Sequence, residues 1–147
     1  MLCVRADLGG GGRSLVLDIN TLRTEACNRL GAKTLELLEN TPVPWKLASY
    51  FGGGLKWRCI FNASKLCWRR YTIDLSEESI TGELLAALDG LEEVIASTPD
   101  TYDFILRKGE LLFLDNHRTL HARTPITGEG MSHRLMIRSW INEEDNE

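Results

Sequence analysis

The stretch Gly109–Ile141, GELLFLDNHRTLHARTPITGEGMSHRLMIRSWI, decides how this chain is read. Leu111–Asp115, Thr119–Arg123 and Arg134–Ile141 read as strands, and the turn formers of PITGEG separate the last two. Alternate residues of a strand share a face. His121 therefore stands with Thr119 and Arg123, and with His117 if the strand is regular. Arg134, Met136 and Arg138 point one way, while Leu135, Ile137 and Ser139 point the other. Two guanidiniums on one face repel unless an anion lies between them or they face water. A carboxylate suits the first case, because guanidinium offers a planar two-pronged fork. A solvent-facing strand with two harmless arginines is the plainer reading of the residues alone.

His121 poses the same choice. A lone histidine in a sheet is more often a packing residue than a ligand. The arrangement of two histidines and one carboxylate that binds non-heme Fe(II) commonly takes two ligands from an H-x-D or H-x-E pair. His117, His121 and His133 each lack a carboxylate two residues on, so that pair is not present in this sequence.

Working outward, the opening residues Leu2–Arg5 read as a strand, Gly9–Gly12 as a turn and Ser14–Asp18 as a second strand. Asn20–Asn40 is helical in two pieces, with Leu22, Ala26 and Leu30 on one face and a break at Gly31; Pro42 and Pro44 end it. KWRCIF and LCWRRYTI read as two β-rich runs forming a hairpin through Asn62-Ala63-Ser64. Leu84, Leu88, Leu91 and Ile95 mark an amphipathic helix with Thr81 as N-cap, closed by Pro99 and Asp100. Strands resume at Phe104–Arg107. The fold class expected is α+β on a mainly antiparallel sheet.

At 147 residues the chain fits a single domain with a working core. The net charge of -4 and pI near 5.4 speak against a nucleic-acid partner, which would want a basic face. No apolar run is long enough to span a bilayer and the start has no signal-peptide core, so a cytoplasmic protein is expected. Cys3, Cys27, Cys59 and Cys67 contain no C-x-x-C pair and read as reduced thiols, although Cys59 and Cys67 would face each other across a hairpin. Gly9–Gly12 followed by Arg13-Ser14 superficially resembles a phosphate loop but lacks its G-K-[ST] ending. The mixed aromatic and basic residues Trp57, Arg58, Lys65, Trp68, Arg69 and Arg70 read as packing over arginine stems, and Glu143-Glu144-Asp145 as a solvated face.

The run GELLFLDNHRTLHART, followed by RLMIRSW, resembles the carboxy-terminal signature of the Fe(II)/2-oxoglutarate dioxygenases of the taurine dioxygenase and clavaminate synthase-like group. CVRADLGGGGRSLVLD resembles a second family segment, in which a Cys-x-Arg strand leads into G-G-x-[ST]. By that resemblance His121 is the distal iron ligand and Arg134 binds the far carboxylate of 2-oxoglutarate. Ser14 helps to hold that carboxylate, and Arg138 lies close by as a contact to cosubstrate or substrate. The implied fold is a double-stranded β-helix, or jelly roll, with helical insertions. The implied cofactors are Fe(II) and 2-oxoglutarate, and the implied activity is oxidation of a C–H bond with conversion of 2-oxoglutarate to succinate and CO2. The substrate would be a small molecule, in the family an amino acid or a natural-product intermediate. The family's H-x-[DE] pair lies upstream of the segment that matches Leu2 onward. Residues 1–147 are therefore expected to be the carboxy-terminal part of one such domain, with an incomplete barrel and iron site. The alternative is a non-catalytic jelly-roll module that still binds a dicarboxylate, self-associates, or completes a barrel with another chain.

Overall fold

The computed structural model describes residues 1–7, 9–63, 65–99, 101–127 and 134–141. The loop expected at PITGEG lies partly outside them, and the run Glu143-Glu144-Asp145 wholly so. In chain order the elements are β1 (Leu2–Arg5), β2 (Ser14–Asp18), α1 (Ile19–Leu30), α2 (Ala32–Asn40), β3 (Val43–Lys46), β4 (Leu55–Arg58), β5 (Phe61–Asn62), β6 (Lys65–Leu66), α3 (Gly82–Ser97), β7 (Tyr102–Phe104), β8 (Thr119–Arg123) and β9 (Leu135–Ile137). This is a mixed α/β chain whose strands pair antiparallel in each register observed. It divides into two compact units.

One unit, Leu17–Thr101 with Asn116–Leu120, holds the main apolar core. Its helices form where the sequence supplies both caps and apolar spacing. Asp18 accepts from the Asn20 and Thr21 amides at the start of α1, and Thr81 accepts from Leu84 N–H at the start of α3. Gly31 breaks α1 from α2 and returns its own amide to Cys27. Leu22 and Ala26 of α1 and Leu84, Ala87, Leu88, Leu91 and Val94 of α3 are buried together, the i, i+3, i+4, i+7 pattern of one helix face. The expected hairpin is only partly formed. KWRCIF supplies β4, which pairs with β3, Val43 opposite Arg58 and Lys46 opposite Leu55, while only Phe61–Asn62 and Lys65–Leu66 pair across the turn. α2 ends at Asn40, ahead of Pro42 and Pro44 as expected, and Pro44 goes on to sit in β3, where its missing N–H is tolerated in an outer position. Among the described residues no helix is long and apolar enough to cross a membrane.

The other unit, Met1–Val16 with Tyr102–Asp115 and His121–Glu147, has short strands as its regular elements among the described residues. β1 pairs with β9, Leu2 opposite Ile137 and Cys3 opposite Met136, with a register shift before Arg5. On its other side β1 meets the chain at Gly109–Leu112, through Cys3 N–H to Glu110 C=O and Leu112 N–H to Met1 C=O. The strand expected over Leu111–Asp115 is reduced to the single bridge between Leu2 and Leu111. β2 lies between β7 and β8. Cys3, Val16 and Leu106 are buried, the Cys3 thiol donating to Leu106 C=O. The opposite face of β1 is open: Leu111, Leu135, Ile137 at 57% and Phe113 at 71% exposure stand in water.

Two outcomes follow. Leu88→Ala removes a fully buried side chain from the α1–α3 contact and lowers unfolding free energy by about 2–5 kcal/mol in denaturant titrations. The open apolar face makes the chain self-associate with rising concentration in light scattering, and Phe113→Ser weakens that association.

Candidate functional site

Ser14 opens β2 with its side chain inward, at 3% exposure. Arg134 precedes β9 and donates through Nη2 to Ser14 Oγ at 3.1 Å. This joins two residues expected to act together, and it does so through a half-buried guanidinium. The Arg134 stem lies on Gly12. A Cβ at Gly12 would stand 2.8 Å from Arg134 Cδ, and the backbone there has φ +64, so only glycine fits both the approach and the conformation.

β2 and β8 are sheet neighbours. Thr124 N–H donates to Arg13 C=O, and Ile19 N–H donates to Arg118 C=O, which runs the two strands antiparallel with Val16 opposite His121 and Ser14 opposite Arg123. Directly opposed residues share a face. His121 is half-buried on the same face of the sheet as Ser14, one pair further along. The expected His121–Thr119–Arg123 face is therefore also the Ser14–Val16 face.

Arg138 follows β9. Its guanidinium stacks over the Trp140 ring, 4.0 Å from the centroid, and both residues are exposed. β9 ends at Ile137, so Arg138 lies beyond the strand on which it is expected to share a face with Arg134. Trp45 is a core residue whose indole donates to Arg58 C=O, and Tyr50 is exposed.

Sequence reasoning passed over Asp7 and Thr127. Asp7 is 6% exposed, and its carboxylate accepts from Gly9 N–H at 3.0 Å and Thr127 N–H at 2.7 Å. An Asp two residues before a glycine is a turn signal that would have pointed to the first contact. Nothing local points to the second, which joins residues far apart in the chain. Among the described residues no group of three or more His, Cys, Asp or Glu side chains is placed to hold a metal ion. All four cysteines are free thiols. Burial pushes the Cys67 thiol up, with Arg58 and Arg69 opposing it only in part, so Cys67 is a poor nucleophile near neutral pH.

Gly12→Ala is expected to cost about 1–3 kcal/mol of stability in denaturant unfolding and to displace the Arg134 side chain from Ser14, because it adds both a contact and a positive-φ penalty.

No curated protein matches the chain by sequence. Among solved structures, it is similar to an asparagine oxygenase in complex with Fe(II), 2S,3S-3-hydroxyasparagine and succinate, at 22% identity and TM-score 0.69. The match covers 90% of this chain and 41% of that one, so the chain spans less than half of its structural relative. The likeness establishes a shared fold. The family described as taurine catabolism dioxygenase TauD, TfdA family matches residues 54–140. The chain belongs to that family.

Proposed function

We propose that this member of the TauD, TfdA family serves an Fe(II)/2-oxoglutarate-type oxygenase reaction, and that the part described supplies the site for the cosubstrate's far carboxylate. The observation that carries this reading is the Arg134–Ser14 pair, a guanidinium fork held by a buried hydroxyl over a glycine shelf. Arg134 would receive the carboxylate through its other N–H groups, with Ser14 Oγ fixing the direction of the fork. The bound dicarboxylate would then lie along the face that also carries His121. The asparagine oxygenase relative was solved with the dicarboxylate succinate and with hydroxyasparagine, which supports a 2-oxoglutarate cosubstrate and a small amino-acid-like substrate here. We further propose that the strands form part of a jelly-roll barrel, in keeping with that shared fold.

An iron site does not fit the described residues by themselves, because no three-ligand cluster is present among them. His121 is the residue that would serve as one ligand. Iron, where bound, supplies dioxygen activation; what these residues do is bind and orient the cosubstrate. Arg138 on its Trp140 stack is available to a second anionic group of cosubstrate or substrate.

A second reading is a dicarboxylate-binding module without catalysis, which the same Arg134–Ser14 pair would serve. Calorimetric titration with 2-oxoglutarate decides the binding claim common to both. Saturable binding is expected, weakened by roughly tenfold or more in Arg134→Ala and only partly restored in Arg134→Lys, because an ammonium lacks the planar fork. Unchanged affinity in Arg134→Ala overturns the site. Succinate formation from 2-oxoglutarate with added Fe(II) and oxygen separates the oxygenase from the module.

A further inference from the structure

We infer that Asp7 is a positioning residue for the carboxylate site: its carboxylate locks the glycine loop on which Arg134 rests. The inference builds on the reading of Arg134 and Ser14 as a carboxylate-binding pair. Asp7 Oδ1 accepts from Gly9 N–H at 3.0 Å. Asp7 Oδ2 accepts from Thr127 N–H at 2.7 Å and lies 3.3 Å from Thr127 Oγ1. That hydroxyl in turn accepts from Gly11 N–H at 3.1 Å. A carboxylate can only accept, so the chain has one polarity, from the Gly11 amide through the Thr127 hydroxyl to Asp7, and each bond polarises the next. Gly12 N–H to Pro125 C=O at 2.8 Å and Arg13 N–H to Thr124 Oγ1 at 2.9 Å continue the seam on the same two segments.

Each residue from Gly11 to Arg13 is thus held by one from Thr124 to Thr127. Packing leaves the seam no slack. A Cβ at Gly11 would stand 2.4 Å from Pro125 O, 2.7 Å from Asp7 Oδ2 and 2.8 Å from Thr127 Oγ1. One at Gly12 would touch Arg134 Cδ on one side and approach Asp7 Cβ to 3.7 Å on the other. Gly12 therefore stands between the Asp7 stem and the Arg134 stem. If the carboxylate lets the loop go, the shelf moves and the Arg134 fork loses its aim at a ligand held by two N–H groups, where small misplacement is costly.

The test uses the whole chain with Asp7→Asn, Thr127→Val, Thr127→Ser and the remote core variant Leu88→Ala. It reads amide exchange at Gly11 and Gly12, the Arg134 Nε resonance, and 2-oxoglutarate affinity by calorimetry. Asp7→Asn puts a donor against the Thr127 amide, and Thr127→Val removes the relay hydroxyl. Both are expected to speed exchange at Gly11 and Gly12 on the order of tenfold and to shift the Arg134 resonance. Both also weaken 2-oxoglutarate by roughly tenfold. Thr127→Ser keeps the hydroxyl and restores all three readouts, while Leu88→Ala lowers stability and moves none of them. Unchanged exchange at Gly11 and Gly12 in Asp7→Asn overturns the inference, as does Thr127→Ser behaving like Thr127→Val. If Asp7→Asn does not fold, the threonine pair decides. If the unaltered chain fails to bind 2-oxoglutarate, the proposed function falls, while exchange and the Arg134 resonance still decide whether Asp7 holds the loop.

Discussion

Two bonds span almost the whole chain, Asp7 to Thr127 and Ser14 to Arg134, and Gly12 stands between the stems of Asp7 and Arg134. Each joins an early residue to a late one through a side chain rather than through a ladder. The ladders bring them within reach: β1 against β9 and β2 against β8 set the early and late segments side by side. Loop closure over such separations is costly in entropy, and many short backbone bonds acting together offset it. The glycines then allow the last approach, because a side chain at Gly11 or Gly12 would occupy space that Asp7, Thr127 and Arg134 already fill.

The two compact units carry different physical burdens. The helical unit buries a contiguous apolar cluster built from α1, α2, α3 and the strands β3, β5 and β6. Its charged residues serve that packing: Arg23 pairs with Glu39 while its guanidinium sits over Phe61, and Arg70 reaches Asp89. The strand unit has few buried apolar residues and instead buries polar ones, Asp7 and Ser14, each with hydrogen-bond partners. A polar group in such a position is stable only when its partners are exact in place, which is also what a binding site demands.

Much of this was legible in the residues. The caps at Thr81, the break at Gly31 and the Leu84–Leu88–Leu91 face emerged as read, because each depends on neighbours within a turn or two. The pairing of β4 was misread. KWRCIF has the composition of a strand, but composition does not choose a partner, and Val43–Lys46 offered a longer ladder than the segment after the turn. Arg138 is expected beside Arg134 by alternation and by the family resemblance; β9 stops at Ile137, and the guanidinium stacks over the Trp140 ring. Asp7 was hidden for a different reason, since an acidic residue before glycines looks like any turn until its distant partner is in view.

The order of residues along the chain was enough to read the three helices and the strands β1, β2 and β8, and to show that Ser14, His121 and Arg134 lie in stretches resembling signatures of one oxygenase family. These are matters of local periodicity, capping and motif spacing. Folding in three dimensions settled what those residues meet: Ser14 as the partner of Arg134, Trp140 as the seat of Arg138, and Asp7 with Thr127 as the seam beneath them. Register and long-range hydrogen bonding are set by the competition among all possible pairings at once. No window of sequence contains that competition.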